Sequence, residues 1–346
     1  MKKNLLTSGK LMVMTIALFM FLVPVILKAQ VSNNLTPEKI QAALDEAFTK
    51  FKDVKDGKNA DYIKVLASVD SKIFGIVLVT ADGQVFTKGD IESKVSIQSV
   101  SKVFTMAQVI EELGAQAVED KIGVDATGLP FNSVNAIELH QGKNINPCVN
   151  PGAIMATSLI AGADSAAKWK HIVEVQSAFA GRELSLNVPV YLSEAGDNLH
   201  NQAIAWLLLS YGRMYFQPQE TVDIYTKQCA LNVNAKDLAT MAATLANGGV
   251  NPVTKKKVVS PETVMHVLPV MATAGLYENT GSWIYSAGLP AKSGVGGGLL
   301  AVCPGKFGIA VVSPPLDEAG NSVKAQLVIE YVIEKLGVNP FLIQPK

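Results

Sequence analysis

Beyond residue 30 the chain carries two kinds of hydrophobic pattern, and they occupy different parts of it. Ile40, Leu44, Phe48 and Phe51 recur at helical spacing after Thr36-Pro37-Glu38, which supplies an N-cap, a proline at the first helical position and an early acid. This predicts an amphipathic helix. The β-branched run Ile73 to Thr80, the turn Ala81-Asp82-Gly83-Gln84 and the short run Val85-Phe86-Thr87 predict a hairpin. A similar strand signal returns near the other end, as Gly298 to Val302, Pro304-Gly305-Lys306 and Phe307 to Ser313, and Val323 to Leu336 then reads as a closing helix. The middle differs in kind. Stretches around 155–181, 197–215 and 235–246 are rich in Ala and Leu with few strand formers, which predicts helices. Asn234 and Asn247-Gly248-Gly249 start and stop one of them, and Ser260-Pro261-Glu262 starts another.

Strands near both ends with helices between them imply an α/β protein. Its antiparallel sheet is built from both chain ends and flanked by helices, with an all-helical subdomain inserted. The sheet-containing part is expected over about 31–98 and 285–346, and the helical part over about 99–284. Residues 1–30 stand apart. Lys2, Lys3 and Lys10 precede an uncharged run from Leu11 to Leu27, followed by Lys28-Ala29-Gln30, the pattern of an export signal cleaved near Ala29. The run is long for a signal and short for a membrane span, and Pro24 interrupts it, so an uncleaved anchor is the alternative. No second stretch matches it in length and apolarity. The remainder is therefore expected to be periplasmic and free of the membrane after cleavage.

Lysine plus arginine equals aspartate plus glutamate at 30 each, and no basic run carries interleaved aromatics, so nucleic acid is not an expected partner. Cys148, Cys229 and Cys303 lie far apart without CxxC spacing. Neither a zinc site nor a disulfide framework follows, and the three are expected to be small buried hydrophobes. No metal and no cofactor are expected.

Candidate chemistry begins at Ser99-Val100-Ser101-Lys102, where the strand-like Lys94 to Gln98 meets a run whose Val100, Val103, Phe104, Ala107, Val109 and Ile110 fit a buried helix. Serine and lysine one turn apart share a face. A serine hydroxyl needs a base, and a lysine can be that base only when burial and neighbours lower its pKa; an apolar helix supplies the burial. The helix start also offers backbone N–H groups to a developing oxyanion. The spacing alone is common, because a surface serine near a surface lysine gives the same pattern. Ser165-Ala166-Ala167-Lys168 matches it too, with Asp164 as N-cap and Lys168 and Lys170 expected on a solvated face. What distinguishes Ser99 is a second element, Lys292-Ser293-Gly294 followed by Val295-Gly296-Gly297-Gly298 and a strand. Serine β-lactamases and penicillin-binding proteins share this pairing. The glycines let a backbone approach a substrate, and an N–H there can complete an oxyanion hole.

From about Asp61 to Gly308 the chain resembles the glutaminase family, the glutamine-hydrolysing branch of the β-lactamase/DD-peptidase-like fold. The matching segments are Asp61-Tyr62-Ile63, Ile97 to Phe104, Pro130-Phe131-Asn132-Ser133 with Ala136-Ile137-Glu138, and Asn146-Pro147 with Asn150 to Ile154. They continue with Ser193-Glu194, Asn201, Tyr225 to Cys229, Gly275-Leu276-Tyr277 and Lys292 to Gly298. The resemblance implies hydrolysis of L-glutamine to glutamate and ammonia, with Ser99 as nucleophile, Lys102 as its base and Tyr277 shuttling the proton to the leaving ammonia. It implies that Tyr62, Asn150, Glu194, Asn201 and Tyr225 join Ser99 and Tyr277 in holding the substrate, and that the backbone of Val295 joins that of Ser99 as oxyanion hole. A homodimer or homotetramer is the family tendency. Free glutamine is a zwitterion, so a carboxylate for its ammonium and amide or phenol donors for its carboxylate are what discrimination requires.

Two positions depart from the family pattern. His200 stands where an arginine is common, and Pro151 follows Asn150 where an alanine is common; a proline there is expected to bias Asn150 towards extended geometry. The competing activity is that of a β-lactamase or peptidoglycan peptidase. Those enzymes place a Ser-x-Asn or Tyr-x-Asn well before the Lys-[Ser/Thr]-Gly strand, and the match here, Tyr277-Glu278-Asn279, begins only 15 residues before Lys292. A non-catalytic glutamine sensor is a third possibility, which predicts loss of Ser99 or Lys102; both are present.

Overall fold

The computed structural model describes residues 35–343 and 345, so the export segment expected over 1–30 lies outside the described residues. Its strands are β1 (Gly75–Thr80), β2 (Val85–Gly89), β3 (Val95–Ser96), β4 (Asn232–Val233), β5 (Ala291–Gly294), β6 (Gly298–Cys303) and β7 (Phe307–Val312). Five of them form one antiparallel sheet in the order β2-β1-β7-β6-β5. The centre of that sheet joins the two halves of the sequence, because β1 pairs with β7 from Gly75↔Val312 to Thr80↔Phe307.

Period-two alternation explains how the sheet is covered. Ile76, Leu78, Ile309 and Val311 pack with the helices Pro37–Phe51 and Val323–Leu336. Val77, Val79, Ala310 and Val312 pack with Leu238, Ala239 and Ala242 of the helix Ala235–Ala246. That helix lies very close to β7, because a Cβ at Gly308 would fall 2.2 Å from the backbone nitrogen of Ala243. Each fully buried aliphatic side chain in such layers stabilises the fold by about 1.5–3 kcal/mol.

Helices dominate the chain between β3 and β5, as the Ala/Leu-rich pattern predicts. The 155–181 stretch resolves into two, Asn150–Leu159 and Ser165–Ala180, the second begun by Asp164, whose side chain accepts from Ala167 N. Asn234 and Asp237 form a full capping box on Ala235–Ala246. Several elements escaped the sequence pattern, among them the short helices Ala115–Lys121, Val134–His140 and Val188–Ala195. The helix Pro218–Cys229 has a proline in its first turn and an early acid, Glu220, signals that were available but sit on a polar stretch. The ladder β3–β4 is only two residues long, yet it ties the approach to Ser99 to the helical part through Val95↔Val233 and Ser96↔Asn232.

Lys168 is buried rather than solvated: its ammonium donates to the carbonyls of Ser158 and Ile160, which close the preceding helix, and lies over the Phe216 ring. Pro151 does not extend Asn150. Both lie in the first turn of their helix, where a proline forfeits no hydrogen bond, and Val149 before them takes the extended geometry.

Candidate active site

Ser99 lies in a single 3-10 turn, Gln98–Val100, that runs into the helix Ser101–Leu113. The turn is buried, and Gln98 enters it with φ +49°, a left-handed conformation that a non-glycine residue adopts only when its surroundings hold it there. Ser101 helps, donating its hydroxyl to the Gln98 carbonyl at 2.7 Å. One turn on, Lys102 is 1% exposed, and its Nζ lies 3.0 Å from Ser99 Oγ. Burial pulls its pKa from the ordinary lysine range down to about 8, against a smaller opposite pull from the neighbouring thiols of Cys229 and Cys148. At that value a useful fraction of the amine is neutral near physiological pH and can take a proton from the serine.

A chain of amides continues from the lysine. Lys102 Nζ donates to Asn150 Oδ1 at 2.6 Å, and the Tyr225 hydroxyl donates to the same oxygen at 3.1 Å. Asn150 Nδ2 in turn donates to Asn201 Oδ1 at 3.1 Å. Four helices thus meet on one polar thread. The rings of Phe131 and Tyr225 lie 5.8 and 5.9 Å from the lysine nitrogen and keep water from it.

Glu194 lies in the last turn of the helix Val188–Ala195 and accepts a hydrogen bond from Gln98 Nε2 at 2.6 Å. Its desolvation raises the carboxyl to about 7, with the Gln98 hydrogen bond working in the opposite direction. Tyr277, in a short 3-10 turn, also has left-handed geometry at φ +57°, held by Thr280, whose hydroxyl donates to the Tyr277 carbonyl at 2.7 Å and accepts from Leu276 N at 2.9 Å. Its phenol is buried beside Ser99 and donates to the Ser293 carbonyl at 3.3 Å. Burial pushes that phenol far above the ordinary tyrosine range, so it stays protonated and able to donate.

Strand β5 closes the other side. A Cβ at Gly294 would lie 2.7 Å from the Ile97 carbonyl oxygen, and one at Gly296 only 2.2 Å from that of Ser96, so glycine is what lets this backbone meet the serine turn. Val295, between them, is buried. Beside these groups opens a cleft of about 260 Å³ lined by Tyr62, Phe131, Asn132, Asn150, Ser193, Glu194, Asp197, His200 and Asn201 among others, room for a small polar molecule. Tyr62 stands at its rim, 60% exposed. His200 Nε2 lies 2.7 Å from the Asn132 carbonyl oxygen and clamps the Phe131 loop to the helix that carries Asn201. A larger groove beside Trp169, Val173 and Leu184 shares no residue with the cleft; its one serine, Ser177, is engaged by the Leu184 N–H.

Every residue that the family resemblance assigns to catalysis or binding therefore lies in or around one place, with Ser99, Lys102, Asn150, Asn201 and Tyr225 directly linked. Gln98 and Phe131 were not singled out: they stand inside matching segments, but neither the strained backbone of the first nor the stacking of the second on Tyr277, 4.8 Å between ring centroids, has a signature in residue type. Ser165 of the second Ser-x-x-Lys does not line this cleft and donates to Glu220. Among the described residues no cluster of His, Cys, Asp and Glu could hold a metal ion, and the three cysteines are buried and unpaired.

The model of the family Glutaminase matches residues 57–341. The chain belongs to the glutaminase family. A glutaminase of Colwellia psychrerythraea is 54% identical over 87% of this chain and 97% of its own, and one of Brucella canis is 52% identical over 89% and 98%. Among solved structures, the probable glutaminase ybaS superposes with a TM-score of 0.88 at 48% identity, covering 89% of this chain and all of its own. Mglu, solved in its glutamate form, gives 0.83 at 35% identity over 88% of this chain and 71% of its own. The sheet capped by terminal helices and interrupted by a helical insertion is thus the β-lactamase-like fold of the glutaminases.

Proposed function

We propose that this glutaminase hydrolyses the side-chain amide of L-glutamine through an acyl-enzyme on Ser99. The observation that carries it is Lys102, buried without a carboxylate partner, 3.0 Å from Ser99 Oγ and bound through Asn150 to Asn201. Ser99 Oγ attacks the amide carbon as its proton passes to Lys102 Nζ. The backbone N–H groups of Ser99 and Val295 receive the oxyanion. The carbon–nitrogen bond then breaks, the proton held on Lys102 reaches the leaving nitrogen by way of the Tyr277 hydroxyl, and ammonia departs. Water, deprotonated by the same lysine, attacks the ester, and glutamate leaves with Ser99 restored.

Recognition of the amino-acid end falls to the cleft. Glu194 takes the α-ammonium, while Asn150, Asn201, Tyr225 and, from the rim, Tyr62 supply the donors that a carboxylate needs. Binding replaces the Gln98 hydrogen bond on Glu194 with a charge pair. The lysine run and apolar stretch of residues 2–27 support export to the periplasm, and the family tendency supports a homodimer or homotetramer, which light scattering on the protein lacking residues 1–30 would establish. Ammonia release from glutamine beside nitrocefin hydrolysis tests the activity: the account expects the first and not the second. Nitrocefin turnover with glutamine untouched would make the chain a β-lactamase of the same fold.

A further inference from the structure

The lysine of Lys292-Ser293-Gly294 has no part in the mechanism above, although it is among the largest fully buried side chains in the molecule. We propose that Lys292 is a positioning residue that occupies the Ser293 carbonyl and so leaves the Tyr277 hydroxyl free to face Ser99 and the departing nitrogen. This rests on the assignment of Tyr277 as proton shuttle.

Two donors share one acceptor here. Lys292 Nζ donates to the Ser293 oxygen at 2.8 Å, a full hydrogen bond, whereas the Tyr277 hydroxyl reaches the same oxygen at 3.3 Å, beyond the usual range for O–H···O. A carbonyl already engaged by a closer donor holds a second one weakly. With Lys292 gone, the phenol is the sole remaining donor to that oxygen from this pair, and the proton that catalysis needs is committed to the backbone. Ser293 is held in β5 by its pairing with Leu299 of β6, and its Oγ donates to the buried Asn321 Oδ1 at 2.5 Å. The carbonyl therefore cannot swing to follow the phenol. Nor can the phenol swing freely: Lys292 Nζ stands 4.1 Å from the centre of its ring and Phe131 packs at 4.8 Å, on a backbone fixed in left-handed geometry.

Burial, and then the proximity of Lys102, hold the pKa of Lys292 well below the ordinary lysine range. A merely structural lysine would be tolerated at many buried backbone carbonyls; this one is distinguished by touching the same oxygen and the same ring as the shuttle.

A double-mutant cycle with glutamine tests the proposal, using Lys292→Met, Tyr277→Phe and both together. Lys292→Met removes the donor but keeps the length of the side chain. It should lower kcat about tenfold or more, as expected when a proton-transfer group is misdirected, and change KM less than about threefold. In the Tyr277→Phe background the same substitution should cost nothing further, because there is no hydroxyl left to misdirect. Multiplicative losses in a slow Tyr277→Phe enzyme, or a loss confined to KM, would overturn the positioning role while leaving the shuttle intact. A fully active Tyr277→Phe enzyme would unseat the shuttle and this proposal together. If Lys292→Met loses its cooperative thermal transition, Lys292→Gln, a shorter donor, carries the same cycle; failure of both to fold would make the lysine structural and the proposal wrong.

Discussion

Burial moves Glu194 up to about 7 and Lys102 down to about 8, and on the proposed mechanism both must lose a proton in the free enzyme before glutamine binds and reacts. Both changes therefore act in the same direction. The ratio kcat/KM should rise with pH through these values and level off above 8, whereas kcat at saturation should keep only the limb near 8, because a bound ammonium holds Glu194 ionised. Glu194→Gln should abolish the limb near 7 and lower kcat/KM about ten- to a hundredfold, mostly through KM, the size of a lost charge-assisted hydrogen bond of about 1.5–3 kcal/mol. Initial rates across the pH range check this; an unchanged acid limb in the variant would remove Glu194 from the ammonium site. At this scale the dyad is legible in the sequence because one helical turn separates its members. Asn150, Glu194, Asn201 and Tyr225 are legible only through resemblance, since no spacing links groups that come from separate helices. Lys168 shows the opposite failure: residue type and N-cap suggested a surface lysine, and only packing reveals the two carbonyls that it satisfies.

The elements that position the site are held by close backbone contacts rather than by long side chains. Where β5 ends, Gly294 and Gly296 lie against the carbonyls of Ile97 and Ser96, and β3 in turn is laddered to β4. Gly296→Ala would place a methyl 2.2 Å from the Ser96 carbonyl oxygen, which the rigid backbone on both sides cannot yield without moving. The expected cost is that of overpacking, about 1–3 kcal/mol of stability, with a fall in kcat as the oxyanion donors on the two elements part. Thermal unfolding and steady-state rates measure the two effects, and wild-type values for both would mean that β5 does not carry an oxyanion donor against the serine turn. The regular helices and strands were largely legible, because their periodicity and caps are local. The 3-10 turns at Ser99 and Tyr277 were not: their left-handed φ values belong to residues other than glycine and are imposed by tertiary contacts.

In the molecule as a whole, the sheet depends on both chain ends. β1 and β7, more than two hundred residues apart in sequence, are its central pair, and the helical insertion between them brings Asn150, Glu194, Asn201 and Tyr225 over the dyad. That arrangement follows from strand signals at each end and helix signals between, so the architecture is legible in the sequence; the convergence of side chains within it is not. It also sets the second Ser-x-x-Lys apart from the dyad, for Ser165 stands at a helix start with a glutamate as partner, and Lys168 is turned to backbone carbonyls. The central claim is that this fold presents Ser99 as the nucleophile towards glutamine. The most direct measurement is ammonia release from glutamine by Ser99→Ala and Ser165→Ala side by side, with glutamine binding followed by calorimetry. The account predicts that Ser99→Ala retains binding but turns over below about one part in a thousand of wild type, while Ser165→Ala is unchanged. Substantial ammonia release by Ser99→Ala, or its loss in Ser165→Ala, would contradict it.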